Sequence, residues 1–189
     1  MHRYLILFVI LLALNACTKD RIFEGVNAPV PMSEDVWSDK IDKGFLFINE
    51  FVARGSRLTN EFGQDEDWIE LYYPGNYTVT LAAGRWYITD DLEEPDMYLL
   101  PEMTLKAKEY IVLFADGNDT VASNIHTNFR LSGDGEQIGI FYKKDENTFI
   151  AIDTLTFGPQ QSGVSYGRIP DGGPNWFFLI NPTPGKPNE

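Results

Sequence analysis

Cysteine, histidine and positive charge are all scarce in this chain. Its 189 residues include 1 cysteine and 2 histidines, and 15 Lys+Arg stand against 28 Asp+Glu for a formal net charge of -13. A single cysteine excludes an intrachain disulfide, so no disulfide framework holds the fold. With His2 beside the start, only His126 lies in the body of the chain, which excludes a multi-histidine zinc centre. So acidic a surface repels nucleic-acid phosphates and anionic lipid headgroups, and no nucleic-acid partner is expected. Long apolar runs are missing too. The longest, Tyr4 to Leu14, falls short of the about 18 residues that a membrane-spanning helix needs.

That short run has another use. Met1-His2-Arg3 supplies a positive start, the apolar stretch follows, and Leu14-Asn15-Ala16-Cys17 closes it with compact residues before the cysteine. The arrangement resembles the signal peptide and lipobox of bacterial lipoproteins. The resemblance implies that residues 1–16 are removed and that Cys17 carries a diacylglycerol on its thiol and a further acyl chain, such as palmitate, on its amine. Two or three chains at about 0.8 kcal/mol per buried CH₂ anchor a protein stably, where one is marginal. Cleavage removes Arg3 and makes the chain one unit more negative. Residues 17–43, with Gly25, Pro29 and Pro31 and no sustained period, read as the lipidated cysteine and a tether. Thr18, in place of the aspartate associated with inner-membrane retention, points by analogy to the outer membrane.

From Gly44 to Glu189 the pattern is β throughout. Expected strands run Phe45–Val52, Asp67–Tyr73, Val79–Leu81, Arg85–Thr89, Met97–Leu100, Tyr110–Ala115, Gln137–Tyr142, Phe149–Phe157, Val164–Arg168 and Trp176–Leu179. In the second, alternation sets Trp68, Glu70 and Tyr72 on one face against Ile69, Leu71 and Tyr73 on the other. Turns rich in Gly, Pro, Asn and Asp separate the strands, and many short strands at this spacing fit a sandwich better than alternating α/β.

An ordered set of fragments then carries a second resemblance. Phe47-Ile48-Asn49-Glu50 is followed by Asp67-Trp68-Ile69-Glu70-Leu71-Tyr72-Tyr73-Pro74-Gly75-Asn76, and by Gly84-Arg85-Trp86-Tyr87-Ile88-Thr89-Asp90-Asp91. Later come Tyr110 to Gly117, His126-Thr127-Asn128-Phe129-Arg130-Leu131-Ser132, Ser165-Tyr166-Gly167-Arg168, Pro170-Asp171-Gly172 and Pro182-Thr183-Pro184-Gly185. Together they resemble the lamin tail domain, with Tyr73 and Arg85 as departures from its usual pattern. The resemblance covers about Gly44 to Asn188 and implies an immunoglobulin-like β-sandwich over residues 44–189. It does not extend to a nuclear lamin role, because no heptad-rich filament segment accompanies it.

Few residues point to chemistry. Trp68 and Trp86 are expected as core anchors, His126 and Phe129 as parts of a structural hydrogen-bonded segment, and Tyr166 and Arg168 as framework residues. Arg168 is expected to pair with a carboxylate or to cap carbonyls, while Gly84 and Gly167 suit a tight turn or close backbone approach. Ser165, His126 and an aspartate make a conceivable triad, but Ser165 has no nucleophile-elbow context. Asp90 and Asp91, with Asp116, Asn118 and Asp119, offer oxygen ligands suited to calcium; the same residues suit solvated Asx turns, and the EF-hand glycine and glutamate are absent. Trp176, Phe177 and Phe178 are read as covering the core, with an exposed recognition edge as the alternative. The expected function is noncatalytic: a membrane-tethered structural or interaction module of the cell envelope, contacting an envelope protein or glycan. Calcium-assisted binding to a surface polymer, and hydrolysis of an exported polymer, are the competing readings.

Overall fold

The computed structural model describes residues 41–118 and 122–189. The signal peptide, Cys17, nearly all of the tether and Asp119 lie outside the described residues. Within them every regular element is a strand: β1 (Phe47–Val52), β2 (Trp68–Tyr72), β3 (Val79–Leu81), β4 (Trp86–Thr89), β5 (Tyr98–Leu99) and β6 (Met103–Leu105) come first. β7 (Tyr110–Phe114), β8 (Ile125–His126), β9 (Glu136–Asp145), β10 (Thr148–Phe157), β11 (Ser165–Arg168) and β12 (Trp176–Leu179) complete the order. They form three sheets, β12-β11-β1-β2-β7-β8, β10-β9-β4-β5 and β3-β6. The all-β expectation therefore stands.

One continuous apolar core draws on all three sheets. Ile48, Phe51, Ile69, Leu71 and Leu113 come from the first, Trp86, Ile88, Ile138, Ile140 and Ile152 from the second, and Val79, Leu81 and Leu105 from the third. Alternation puts them there: the even spacing of a strand sends every second side chain to the same face. Trp86 is 2% exposed, and its ring lies 5.2 Å from Phe45 on one side and 5.2 Å from Tyr142 on the other. Arg85, the departure beside it, donates to the carbonyls of Lys143 and Lys144 at 3.1 and 3.0 Å and so closes the end of the β9–β10 hairpin.

Trp68 is buried as expected of a core anchor, in a second apolar cluster with Val52 and Phe114, against which Leu58 and Val112 pack. The face it shares with Glu70 and Tyr72 is covered by other parts of the chain, so both faces of β2 are buried. Some expectations need correction. β6 and β8 were not expected, because three- and two-residue strands leave no readable alternation. β9 runs past Tyr142 to Asp145, its polar end held by backbone pairing to β10. Phe177 and Phe178 are exposed; only Trp176, half-buried, packs against the core.

A break in register between β1 and β2 sets the positions of the polar residues. Ile48 pairs with Leu71 and Glu50 with Glu70, leaving Asn49 as the extra residue of a bulge. Both faces of β1 are covered, so the consecutive residues Asn49 and Glu50 are both buried polar groups. Trp86→Ala should lower unfolding free energy by about 3–5 kcal/mol, the usual cost of emptying a tryptophan-sized core site. Urea denaturation followed by fluorescence of the remaining tryptophans checks this; a loss below 1 kcal/mol would contradict the packing role.

Candidate functional site

Two buried polar clusters stand out from the apolar framework. The larger lies where β1, β2, β7 and β11 meet the C-terminal segment. Glu50 and Glu70 face one another across adjacent strands, and both are fully buried. Like charges directly opposite in a sheet are unfavourable, so neighbouring donors matter. Glu50 accepts hydrogen bonds from the Ser165 hydroxyl and from Thr183, whose backbone N–H lies at 3.0 Å and hydroxyl at 3.0 Å. Glu70 accepts from Asn49 Nδ2 at 2.9 Å and from the Gly185 N–H at 2.6 Å.

Asp171 joins the same network. Its carboxylate accepts from Asn49 Nδ2 at 3.0 Å, the Asn188 N–H at 3.0 Å and the Tyr110 hydroxyl at 2.6 Å. Asn188 in turn donates to the carbonyls of Asn49 and Arg168 at 3.2 and 2.9 Å. The chain end after β12 is therefore bonded across the sheet rather than lying loose. Gly167 leaves room for it: a Cβ there would lie 2.7 Å from Asn188 Nδ2 and 2.9 Å from Leu179.

Burial sets the charge state. It pushes Glu70 up to about 8, against the pull of its Asn49 and Gly185 donors, and it also raises Glu50. Glu70 thus holds its proton at neutral pH, which relieves the repulsion between the opposed carboxyl groups.

Arg168 lies beside this network and binds the two large sheets together. Its Nε donates to the Ile48 carbonyl at 2.8 Å and Nη1 to the Gly173 carbonyl. Its Nη2 contacts both Asp153 oxygens at 3.1 and 2.9 Å, while Asp153 also accepts from the Ile48 N–H at 2.9 Å. The guanidinium stacks on Trp176, 4.6 Å from its ring centre. Both expected roles, carboxylate partner and carbonyl cap, are filled by one side chain. Tyr166, stacked on Trp176 at 5.3 Å and edge-on to Phe51 at 6.0 Å, supports it from the core side.

The smaller cluster is built on His126. The ring is fully buried, with Nδ1 2.7 Å from Asp116 and Nε2 3.2 Å from Glu61. Each ring nitrogen faces a carboxyl oxygen, an arrangement that favours the charged imidazolium. Burial works against that charge, but Asp116 and then Glu61 outweigh it and raise the histidine above its usual 6.5. Glu61 is itself held by Asn124, through its side chain and N–H at 2.5 and 2.9 Å, and by the Ser123 hydroxyl at 3.0 Å. Those donors keep its carboxyl well below the usual carboxylate range, the Asn124 side chain contributing most. Phe129 is buried nearby, and its carbonyl accepts from the Thr127 hydroxyl at 3.1 Å and the Gly117 N–H at 3.0 Å.

The expected site residues are brought together only in part. Asp116, assigned to calcium, is buried against His126 and also caps the Asn118 N–H at 3.2 Å as an Asx turn. Asp91 does the same for Glu93 at 2.9 Å, and Asp90 is half-buried with its carboxyl raised by burial. Among the described residues no three His, Cys, Asp or Glu side chains converge as a metal site. The triad residues do not meet either: Ser165 donates to Glu50, whereas His126 is engaged by Asp116 and Glu61. Glu61 and Asp171 escaped the reading of the sequence because their partners are remote in the chain. For Glu70 a signal existed: a carboxylate between Trp68 and Tyr72 on one strand face belongs to a covered face. No family model matches the chain, and a search of curated proteins finds no match.

These titrations point one way. A carboxyl or imidazole whose folded value is raised contributes stability below its unfolded value and loses it as pH rises through the folded value. For Glu70 the window runs from its usual 4.5 to about 8, for Asp67, raised by burial and by Glu66, from 3.8 to about 6, and for His126 upward from 6.5. The urea midpoint should therefore be higher at about pH 5.5 than at about pH 8.5. Glu70→Gln should flatten that slope whatever it does to the absolute midpoint. Equal slopes in the two proteins would contradict the assignment to Glu70.

Proposed function

We propose that the chain is a noncatalytic, lipid-anchored module of a bacterial cell envelope, whose β domain is an immunoglobulin-like sandwich of the lamin tail type and serves structure or interaction. The reading of the domain as a scaffold is carried by one observation: its buried polar side chains are engaged with one another. Glu50, Glu70 and Asp171 take their donors from within the chain, as do Asp116 and Glu61 around His126. Catalytic sites differ in leaving reactive groups facing a cleft that substrate enters. Here the carboxyl groups are spent on holding strands and the chain end in place.

The lamin tail reading gains support from where its fragments fall. Asn49-Glu50, Glu70, Arg168, Asp171 and Gly185 come from five separated stretches, and they meet in one connected set of hydrogen bonds. An immunoglobulin-like sandwich accounts for a core shared by the strands of facing sheets. Anchoring rests on Leu14-Asn15-Ala16-Cys17 alone. The net negative charge of the chain disfavours anionic lipid, so attachment falls to the acyl chains.

Cells grown with an alkyne-tagged palmitate should label the native protein and not Cys17→Ser. Mass spectrometry of the mature protein should place its first residue at Cys17. An unlabelled native protein, or a mature terminus elsewhere, would contradict anchoring at this cysteine.

A further inference from the structure

We propose that β12 pairs with the β12 of a second copy of this chain, joining two six-stranded sheets edge to edge across a two-fold axis. Among the described residues β12 is the outer strand of its sheet, bonded on one side to β11 and open on the other. Exposed sheet edges are ordinarily blunted by charge, proline within the strand or bulges. β10, the outer strand of the second sheet, has such protection: its pairing shifts register twice, and Asp153 lies within it. β12 has none. It pairs with β11 without a break from Arg168–Trp176 to Ser165–Leu179, and no charged residue occurs between Asp171 and Lys186. Yet Phe177, Phe178 and Ile180 are 48%, 45% and 81% exposed.

The occupant follows from the order of residues in this stretch. Pro174-Asn175-Trp176-Phe177-Phe178-Leu179-Ile180-Asn181-Pro182 reads nearly the same in both directions by residue class. Proline matches proline, asparagine matches asparagine, Trp176 matches Ile180 and Phe177 matches Leu179, with Phe178 at the centre. An antiparallel strand pairing with its own copy needs this symmetry, because each residue i then faces the residue equally far beyond the centre. A strand evolved for an unrelated peptide has no such need.

The backbone selects the same centre. Asn175 offers its carbonyl to the Ile169 N–H at 3.1 Å, so alternation directs Asn175, Phe177 and Leu179 toward β11. Trp176, Phe178 and Ile180 therefore turn their N–H and C=O groups to the open edge. Pairing centred on Phe178 sets Phe178 against Phe178 and Trp176 against Ile180, and every outward group meets an outward group. On the face shared with Tyr166, its ring contacts with Trp176, stacked at 5.3 Å, and with Phe178, tilted at 4.8 Å, continue into the partner copy. The prolines at each end stop the ladder.

Charge favours this contact over others. Two chains of net charge -13 repel one another over most of their surfaces, and the uncharged edge is where that cost is least. The opposite edge of the same sheet is the two-residue β8, too short to propagate pairing, so association closes at two.

The proposal deepens the reading of the domain as an interaction module by naming its partner, and it rests on that reading. The two can fail separately, because acylation at Cys17 is measured independently of assembly. The full chain carrying Cys17→Ser, analysed by sedimentation equilibrium, should show a concentration-dependent species of twice 21.5 kDa. Phe178→Lys, at an exposed site, should keep the melting temperature measured at dilutions where the chain is monomeric and weaken the dimer by at least about tenfold. In the same background, where the introduced thiol is the only one, Phe178→Cys should cross-link to a dimer with a short bis-maleimide. Phe177→Cys, opposed to Leu179, should cross-link poorly. A monomer at all concentrations, a dimer unaffected by Phe178→Lys, larger assemblies, or equal cross-linking at both positions would each overturn the proposal.

Discussion

Two glutamates set face to face inside a sheet constrain much else in this molecule. Glu50 and Glu70 are opposed on adjacent strands and fully buried. An unpaired buried carboxylate is costly, so the arrangement requires either donors or protons. Both are supplied. Ser165, Thr183, Asn49 and Gly185 donate, and burial keeps a proton on Glu70. Since two of these donors belong to the segment after β12, the chain end becomes a required part of the sheet's outer face. Asp171 and Asn188 extend the attachment to the β11–β12 connection. The bulge at Asn49 makes it possible, turning one extra polar side chain toward the same place.

Arg168 and His126 follow the same logic on a smaller scale. Arg168 uses all its donor nitrogens on groups from β1, β10 and the Gly173 turn, so a single planar cation joins two sheets. His126 is held between carboxyl groups from two loops, and it ties the Glu61 loop to β8. In each case an ionisable group works as a structural tie. Such ties specify one arrangement of strands, because alternatives would leave a buried charge unpaired.

Most strands were legible because they are long enough to show alternation and are bounded by turn residues. β2 shows both strength and limit. Its two faces separate as Ile69 and Leu71 against Trp68, Glu70 and Tyr72, but alternation alone does not say that both faces are covered. Trp68 is buried as a core anchor, but its strand does not tell which of two clusters it joins. β6 and β8 depend on partners distant in sequence, and their own residues carry no period. For the polar clusters, types and turns were readable, as with the Asx caps of Asp91 and Asp116. Their partners were not, because Glu50 and Thr183, or Glu61 and His126, are joined only by the topology. The quasi-palindrome around Phe178 was present in the sequence throughout, but it gains meaning only once β12 is placed at an edge.

The carboxyl network makes the C-terminal segment part of the sheet. Native-state amide hydrogen exchange at Thr183, Gly185 and Asn188 measures this, since each N–H donates to Glu50, Glu70 or Asp171. The account predicts protection close to that of β1, with Gly185 and Thr183 losing it in Glu70→Ala and Glu50→Ala respectively. Exchange at the rate of a free peptide in the native protein would contradict it.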